Sequence, residues 1–215
     1  MELAELPPKW QVGPLAGAAE LLAGFAEVLR PPRRLEVSRA AERHRVLHNP
    51  GGGYSGPWLN ALAPWTVEPM DELANGRREM VVFAGPAQCG KSEIGLNWLL
   101  HCYLYDPVDF LVLHPSKEMM RDFVVSRVEP MIGLAPDLRA RQLDTAGADN
   151  IFSKRFRGGL LRFIWPVSAQ LRARPAPRWW ADDYDEIPAD IDGQGDAISL
   201  LGARTTTFEG RDVGL

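Results

Sequence analysis

The chain has 215 residues, 46% of them hydrophobic, which allows one sizeable core and at most a small appendage. Its formal net charge of -4 argues against nucleic-acid binding through the whole surface, so any such contact must be local. Two cysteines, Cys89 and Cys102, exclude a disulfide framework, and a reducing, intracellular setting is expected. Neither a membrane-spanning apolar stretch nor a signal-peptide pattern is present in the sequence.

Helical patterns dominate the first third of the chain. Residues 1–14 are proline-rich and are expected to be irregular, whereas residues 15–30 have apolar residues at helical spacing. A shorter amphipathic helix is predicted over 36–47, with Ser38 as its N-cap. A glycine-rich loop and an interrupted helical pattern follow. We interpret residues 1–50 as an N-terminal helical and irregular extension.

From residue 80 onward, short apolar runs alternate with helical segments. The runs cover 80–84, 109–114, 159–167 and 178–182. The helical segments cover 92–105, 116–132 with Ser116 as cap, and 197–204 with Asp196 as cap. Continuous apolar strands that alternate with helices are typical of a parallel sheet covered on both faces. The sequence therefore predicts an α/β fold with a predominantly parallel sheet flanked by helices.

Residues 85–92 match the phosphate-binding pattern G-x-x-x-x-G-K-[ST] without a mismatch. An apolar run precedes the pattern and a helical segment follows it, as a P-loop requires. In such a loop, backbone N–H groups surround phosphate oxygens, the lysine neutralises the β and γ phosphates, and the serine hydroxyl binds Mg²⁺. The candidate nucleotide site comprises Gly85, Pro86, Ala87, Gln88, Cys89, Gly90, Lys91 and Ser92.

A P-loop ATPase also needs a carboxylate at the end of a neighbouring strand to hold Mg²⁺, and usually a second carboxylate to activate water. Only "RWWADDYDEIP", residues 178–188, fits this requirement well. In one register Asp182 binds Mg²⁺ and Asp183 is the general base. In the other register Asp185 and Glu186 form the pair, although Tyr184 is then the only apolar residue directly before them. The residues alone leave both registers open.

Further side chains are candidates for the same site, and each has a structural alternative. Arg127, Arg172 and Arg174 are candidates for a cation on the transferring phosphate, but each alone fits a surface or salt-bridged arginine.

Two more segments are weaker candidates. Residues 114–116 end the second predicted strand, on the side where open α/β sheets bind ligands. Lys154, Arg155 and Arg157 form a basic cluster that fits either a DNA-phosphate contact or a solvated hairpin.

Six segments, in order, resemble the ATPase domain of the large terminase subunit of tailed bacteriophages, in its GpA-like branch. They are "SRAAERHRVL", "SGPWLNALAPW", "AGPAQCGKSEIGLNWL", "DPVDFLVLHPSKEMMRDFVVSRVEPMI", "VSAQLRARPAPRWWADD" and "DGQGDAISLLGARTTTF". The resemblance runs from about Glu36 to Arg211, and the shared order makes it specific. The family's spacing back from Gln194-Gly195-Asp196 favours the register of Asp182 and Asp183. Asp183 would stand where the family carries Glu, which leaves the base open between Asp183 and Glu186.

The resemblance in the loop extends to Gln88 and Glu93, which adds Glu93 to the candidate nucleotide-binding residues. The family also places an aromatic residue in the stretch before the P-loop, so the resemblance implies that Trp65 stacks on adenine; the structural alternative is a partly buried core residue.

The resemblance implies a P-loop NTPase fold, with the ATPase domain over residues 51–215, and it implies ATP and Mg²⁺ as ligands. It implies a motor that packages double-stranded viral DNA into a procapsid in the host cell cytoplasm. The implied partners are the small terminase subunit and the portal. The motor would be a homo-oligomeric ring when assembled, or a monomer as an isolated fragment. We expect the chain to be a fragment, without nuclease activity.

Two alternatives to a motor ATPase stay open. One is a small-substrate P-loop kinase, which would need an acceptor pocket and an arginine-rich lid. The other is a nucleotide-responsive assembly module with little activity alone.

Overall fold

The structure is a computed structural model, and it describes residues 22, 25, 35–49, 52–143, 149–172, 175–205, 208 and 213–215. The chain divides into two compact units, Met1–Arg33 and Arg34–Leu215. In the first unit, Leu22 and Phe25 are helical and exposed. The irregular segment 1–14 and the rest of the helix predicted over 15–30 lie outside the described residues. The domain boundary at residue 50 stays a prediction.

Helix α1, Val37–His44, lies near the start of the second unit and buries Val37, Ala40 and Ala41. The prediction of Ser38 as its N-cap is wrong, because the cap residue is Glu36 and its side chain makes no cap hydrogen bond. The Ser38 N–H and hydroxyl instead donate hydrogen bonds of 2.9 Å each to the two carboxylate oxygens of Asp71. The first turn of α1 is therefore capped by a residue of a different helix.

Short elements connect α1 to the phosphate loop. Strand β1, Val46–Leu47, pairs antiparallel with strand β2, Gly56–Pro57. Two 3-10 turns, Asn60–Leu62 and Pro64–Thr66, lead into helix α2, Val67–Glu72, which carries Asp71. The interrupted helical pattern predicted for this region is confirmed.

The main sheet has six strands among the described residues. They are β3 Phe110–Leu113, β4 Asp149–Asn150, β5 Ser153–Phe156, β6 Gly159–Ile164, β7 Arg178–Ala181 and β8 Val213–Gly214, in the spatial order β4-β5-β6-β3-β7-β8. Neighbouring strands from β6 to β8 are parallel, and β4 and β5 are added in antiparallel orientation. The predominantly parallel sheet is confirmed.

The apolar run at 80–84 does not form a regular strand. Met80 makes one parallel bridge to Gly214, and the Val81 N–H donates a 2.8 Å hydrogen bond to the Gly214 carbonyl. Because β8 has only two residues, residues 80–84 can form only a short ladder of hydrogen bonds with it. The segment that leads into the phosphate loop therefore lies beside β8, and β8 separates it from β7.

Helices cover both faces of the sheet, as predicted. They are α3 Lys91–Tyr105, α4 Lys117–Phe123, α5 Glu129–Leu134, α6 Pro136–Arg139, α7 Ser168–Arg172 and α8 Ala197–Thr205. Ser116 accepts a 3.1 Å hydrogen bond from Met119 N–H, and Asp196 accepts one of 2.9 Å from Ser199 N–H, so both predicted caps are confirmed. The single helix predicted over 116–132 is interrupted by a π turn, Val124–Val128, between α4 and α5.

Two apolar clusters fill the space between the sheet and its helices, one on each face of the sheet. Successive residues of a strand face opposite sides, so one strand can contribute to both clusters. In β3, Phe110 and Val112 belong to one cluster and Leu111 and Leu113 to the other. Helix α3 is buried from Ile94 to Leu104, which explains a sequence that is apolar on most sides. Within the described ranges, no helix is long and apolar enough to cross a membrane.

Candidate nucleotide-binding site

The phosphate loop connects the segment beside β8 to helix α3, and two glycines give it its shape. Gly90 has φ 91°, a backbone conformation that L side chains rarely adopt, and it is the N-cap of α3. A Cβ on Gly85 would lie 2.8 Å from Cys89 Sγ, so a larger residue would not fit there without a shift. The loop also holds Gln88 at φ 60°, an uncommon conformation for a residue other than glycine. Such a backbone is consistent with a phosphate-binding turn.

Ser92 and Asp182 meet at the start of helix α3. The Ser92 hydroxyl donates a 2.8 Å hydrogen bond to Asp182 Oδ2. Strand β7 ends at Ala181, so Asp182, and not Asp185, is the residue that directly follows the strand. The Asp182 side chain is buried, and this burial raises its pKa to about 6, against the opposing effect of the Ser92 hydrogen bond.

These two side chains fit a Mg²⁺ ion. Magnesium prefers hard oxygen ligands and is usually held by one or two carboxylates together with water and substrate phosphates. A hydroxyl and a buried carboxylate are of this type, and the burial that raises the pKa of Asp182 disfavours its ionised form. Within the part of the chain that the structure describes, no group of three or more His, Cys, Asp or Glu could hold a metal ion.

The acidic segment after β7 turns back toward the phosphate loop. Asp183 adopts a left-handed backbone conformation with φ 47° and ψ 51°, and its Oδ1 lies 3.9 Å from Lys91 Nζ. Residues Tyr184–Glu186 form a 3-10 turn, in which the Glu186 N–H donates to the Asp183 carbonyl. This turn brings both candidate bases, Asp183 and Glu186, to the same cleft.

The cleft has a volume of about 980 Å³, large enough for a nucleotide. Four parts of the chain line it: the segment around β1, the phosphate loop with the first turn of α3, the π turn with the start of α5, and the acidic turn. The lining residues among the predicted site are Gly85, Ala87, Gln88, Gly90, Lys91, Ser92, Glu93, Arg127, Asp183 and Glu186.

Arg127 enters the cleft from the π turn and contacts the helix of the phosphate loop. Its Nη1 lies 3.2 Å from Glu93 Oε1, and about half of its side chain remains exposed. The other oxygen of Glu93 lies 2.8 Å from Nη2 of Arg45, a buried residue. We did not predict Arg45 as a site residue, because an arginine in an amphipathic helical pattern gives no sign of burial.

Trp65 lies beside the loop. Its indole Nε1 donates a 2.8 Å hydrogen bond to the Cys89 carbonyl, and about half of its surface is exposed. The ring is not among the residues that line the cleft, and neither are Pro86, Cys89 and the buried Asp182. Stacking of Trp65 on adenine stays a prediction.

Several candidates are not brought to the cleft. Arg172 lies at the end of α7, where its carbonyl accepts a hydrogen bond from Arg204, and Arg174 lies outside the described residues. His114 is packed between Phe123 and Trp180, and burial lowers its pKa to about 4.

The three residues of the basic cluster at β5 differ in their exposure to solvent. Lys154 is buried and pairs with Glu129 at 3.0 Å, which removes it as a DNA-phosphate contact. Arg155 and Arg157 remain exposed.

Comparisons with known proteins agree with this geometry. The crystal structure of the HK97 bacteriophage large terminase has the same fold, with a TM-score of 0.66 at 14% sequence identity. The similarity covers 85% of this chain and 37% of that chain, so this chain spans well under half of the larger protein. Among curated proteins, none matches the chain.

The sequence profile of one family, described as the phage terminase large subunit gpA, ATPase domain, matches residues 52–214. This match covers more than half of the chain and includes the phosphate loop, Asp182 and the acidic turn. The resemblance and the P-loop NTPase fold expected from the sequence are therefore confirmed. The chain belongs to the family of phage terminase large subunit ATPase domains.

Proposed function

We propose that this chain is the ATP-hydrolysing motor domain of a phage terminase large subunit, and that it powers the packaging of double-stranded viral DNA into a procapsid. The observation that carries the proposal is the 2.8 Å hydrogen bond from Ser92, which lines the cleft together with Lys91, to the buried carboxylate of Asp182 behind it. A helix N-terminus, a lysine and a buried carboxylate together supply the groups that a Mg²⁺-bound triphosphate needs.

In this proposal, the loop from Gly85 to Gly90 surrounds the phosphates with backbone N–H groups, and Lys91 neutralises their charge. Ser92 and Asp182 hold Mg²⁺, which when bound screens the negative charge of the β and γ phosphates. Occupation of this site by a cation would reverse the burial effect that raises the pKa of Asp182, because the ionised carboxylate becomes the ligand.

Asp183 is the residue that we propose to orient the attacking water. Its carboxylate lies 3.9 Å from the Lys91 ammonium, which would sit on the phosphates, and it directly follows the Mg²⁺ carboxylate. Glu186 lines the same cleft on the next turn and is the alternative base. Arg127 is the cation that we propose to face the phosphates from within the same chain, since Arg172 does not line the cleft.

Membership of the family supports a proposal about nucleic-acid and protein partners. We propose double-stranded DNA, the small terminase subunit and the portal of the procapsid as partners, and a homo-oligomeric ring as the working assembly, in the cytoplasm of the host cell. Arg155 and Arg157 are the exposed remainder of the basic cluster and stay candidates for DNA phosphates.

Phosphate release from ATP tests the proposal. Lys91→Ala should abolish both nucleotide binding and phosphate release. The loop would lose the lysine ammonium, its only cationic side chain, which neutralises the β and γ phosphates. Lys117→Ala is the matched control, since Lys117 lies over the rings of Phe152 and Trp165 and does not line the cleft. Equal hydrolysis by Lys91→Ala and the parent would contradict the assignment.

The same assay separates the alternatives. A motor ATPase releases phosphate with no acceptor molecule present, whereas a kinase requires one. An assembly module would bind nucleotide and change its size on a sizing column with a nonhydrolysable ATP analogue, without releasing phosphate.

A further inference from the structure

Glu93 is bonded to two arginines that reach it from different parts of the chain. Its Oε2 lies 2.8 Å from Nη2 of Arg45, which follows helix α1, and its Oε1 lies 3.2 Å from Nη1 of Arg127 in the π turn. Glu93 directly follows Ser92 in the first turn of α3. An acid in the first turn suits the helix dipole, but its charge would repel a bound phosphate, so its presence beside a phosphate loop needs a further physical reason.

Arg45 supplies the first part of that reason. Its side chain is 4% exposed, against 49% for Arg127, and its Nη1 also donates a 2.8 Å hydrogen bond to the Val46 carbonyl. A guanidinium at this depth is fixed in place and serves as the permanent counter-charge of Glu93. One arginine therefore balances the carboxylate, and the charge of the second arginine is left in surplus.

Arg127 is the arginine in surplus. It contacts Glu93 through a single nitrogen, whereas a guanidinium carries five N–H donors. The π turn that bears it is held by its buried neighbours Val124 and Val128, and π turns inside helices are frequent at functional sites. The free donors of Arg127 therefore remain available in a cleft that also contains Lys91.

We propose that Glu93, anchored by Arg45, is a positioning residue that holds Arg127 toward the γ-phosphate of a nucleotide bound by the same chain. Glu93 then acts on hydrolysis through Arg127 and makes no contact with the nucleotide. The proposal rests on the proposed function, because it requires a triphosphate in the cleft. It also changes the role expected of Glu93, which the family resemblance placed among the nucleotide-binding residues.

The relative affinity for a nonhydrolysable ATP analogue and for ADP tests the proposal directly, because only the analogue has a γ-phosphate. We expect Arg127→Ala to reduce the preference for the analogue on the order of tenfold, the scale of one lost hydrogen bond to a charged group. Glu93→Gln should reduce the preference in the same direction, while ADP affinity stays within about twofold of the parent, a change that an indirect contact allows.

A double variant shows whether Glu93 acts through Arg127. If it does, Glu93→Gln combined with Arg127→Ala behaves like Arg127→Ala alone, in both the affinity ratio and kcat. Additive losses, or no loss in Glu93→Gln, would overturn the proposal. A higher kcat in Glu93→Gln would also overturn it, because Glu93 would then hold Arg127 away from the phosphate.

Matched controls come from helix α4, which directly precedes the π turn that contains Arg127. Glu118→Gln and Arg121→Ala replace exposed residues of α4 that do not line the cleft, and both should leave the affinity ratio and kcat unchanged. Thermal unfolding of each variant checks that the fold is intact. If the parent and Lys91→Ala bind nucleotide equally, the proposed function itself fails. If the parent binds and hydrolyses ATP, and Glu93→Gln has the same affinity ratio and kcat as the parent, only the role proposed for Glu93 fails.

Discussion

The Ser92 hydroxyl is hydrogen-bonded to Asp182 Oδ2 at 2.8 Å, across a separation of 90 residues in the chain. This contact joins the first turn of α3 to the end of β7. It is possible because α3 lies directly on β7, where a Cβ on Gly95 would meet Trp180 at 2.3 Å. The chemistry of the cleft therefore depends on a close packing contact outside it.

The buried carboxylate of Asp182 should cost stability when no cation is bound. Its pKa is raised from 3.8 to about 6, so the native state binds a proton more tightly than the unfolded state does. The favourable contribution of the protonated form is complete below pH 3.8 and is lost as the pH rises through about 6. Asp182→Asn should therefore raise the free energy of unfolding on the order of 2–3 kcal/mol at pH 7.5.

Urea unfolding of the parent and Asp182→Asn, without Mg²⁺ and nucleotide, measures this difference. The gain should shrink at pH 5, where the parent carboxyl is protonated in the native state. The stabilised variant should also lose Mg²⁺-dependent phosphate release. An equal stability difference at the two pH values would contradict the burial of an ionisable Asp182.

Asp183→Asn should bind nucleotide and lose turnover by about 10²-fold or more, the scale of a lost general base. Asparagine keeps the size of the side chain and tolerates the left-handed conformation at φ 47°, so the backbone is not strained. Glu186→Gln, on the other side of the 3-10 turn, should lower kcat by less than about tenfold. Single-turnover phosphate release with saturating ATP measures both, and the reverse order would assign the base to Glu186.

Trp65→Phe distinguishes a stacking role from support of the loop. Phenylalanine keeps an aromatic face but removes the N–H that donates to the Cys89 carbonyl. Since the ring does not line the cleft, we expect Trp65→Phe and Trp65→Ala to weaken nucleotide binding alike, by about threefold to tenfold for one lost hydrogen bond. Retention of parental affinity by Trp65→Phe alone would instead support stacking on adenine.

Gly95→Ala should destabilise the fold by about 1–3 kcal/mol, because the added methyl group has no space against Trp180. Gly202→Ala is the matched control, since Gly202 lies in helix α8 and a Cβ there meets nothing within 4 Å. That change should raise stability by about 0.5–1 kcal/mol through helix propensity. Thermal unfolding of both variants measures the contrast. Similar shifts in both would indicate that α3 and β7 pack less closely.

Much of the site was predictable because its chemistry is local in sequence. The loop from Gly85 to Ser92 and the strand that ends before Asp182 both follow from short patterns. The bond between Ser38 and Asp71 was not predictable, since a serine near a helix start usually serves as the cap itself. Arg45 was missed for a related reason, because its burial depends on Glu93, which lies 48 residues further along the chain. The π turn at Val124–Val128 leaves the apolar spacing of its helix almost unchanged, so periodicity did not reveal it.

Strand β8 and Leu215 are hydrogen-bonded to both segments that carry the site, namely the one that leads to the phosphate loop and strand β7, which leads to Asp182. The segment that leads to the phosphate loop bonds to Gly214, and β7 bonds to Leu215 through the Ala181 N–H at 2.8 Å. A force applied to residues 213–215 would therefore act on both segments at once. It would change the distance between the Ser92 hydroxyl and the Asp182 carboxylate. The backbone itself can carry force to the two residues that we propose to bind the cation, without a relay of side chains.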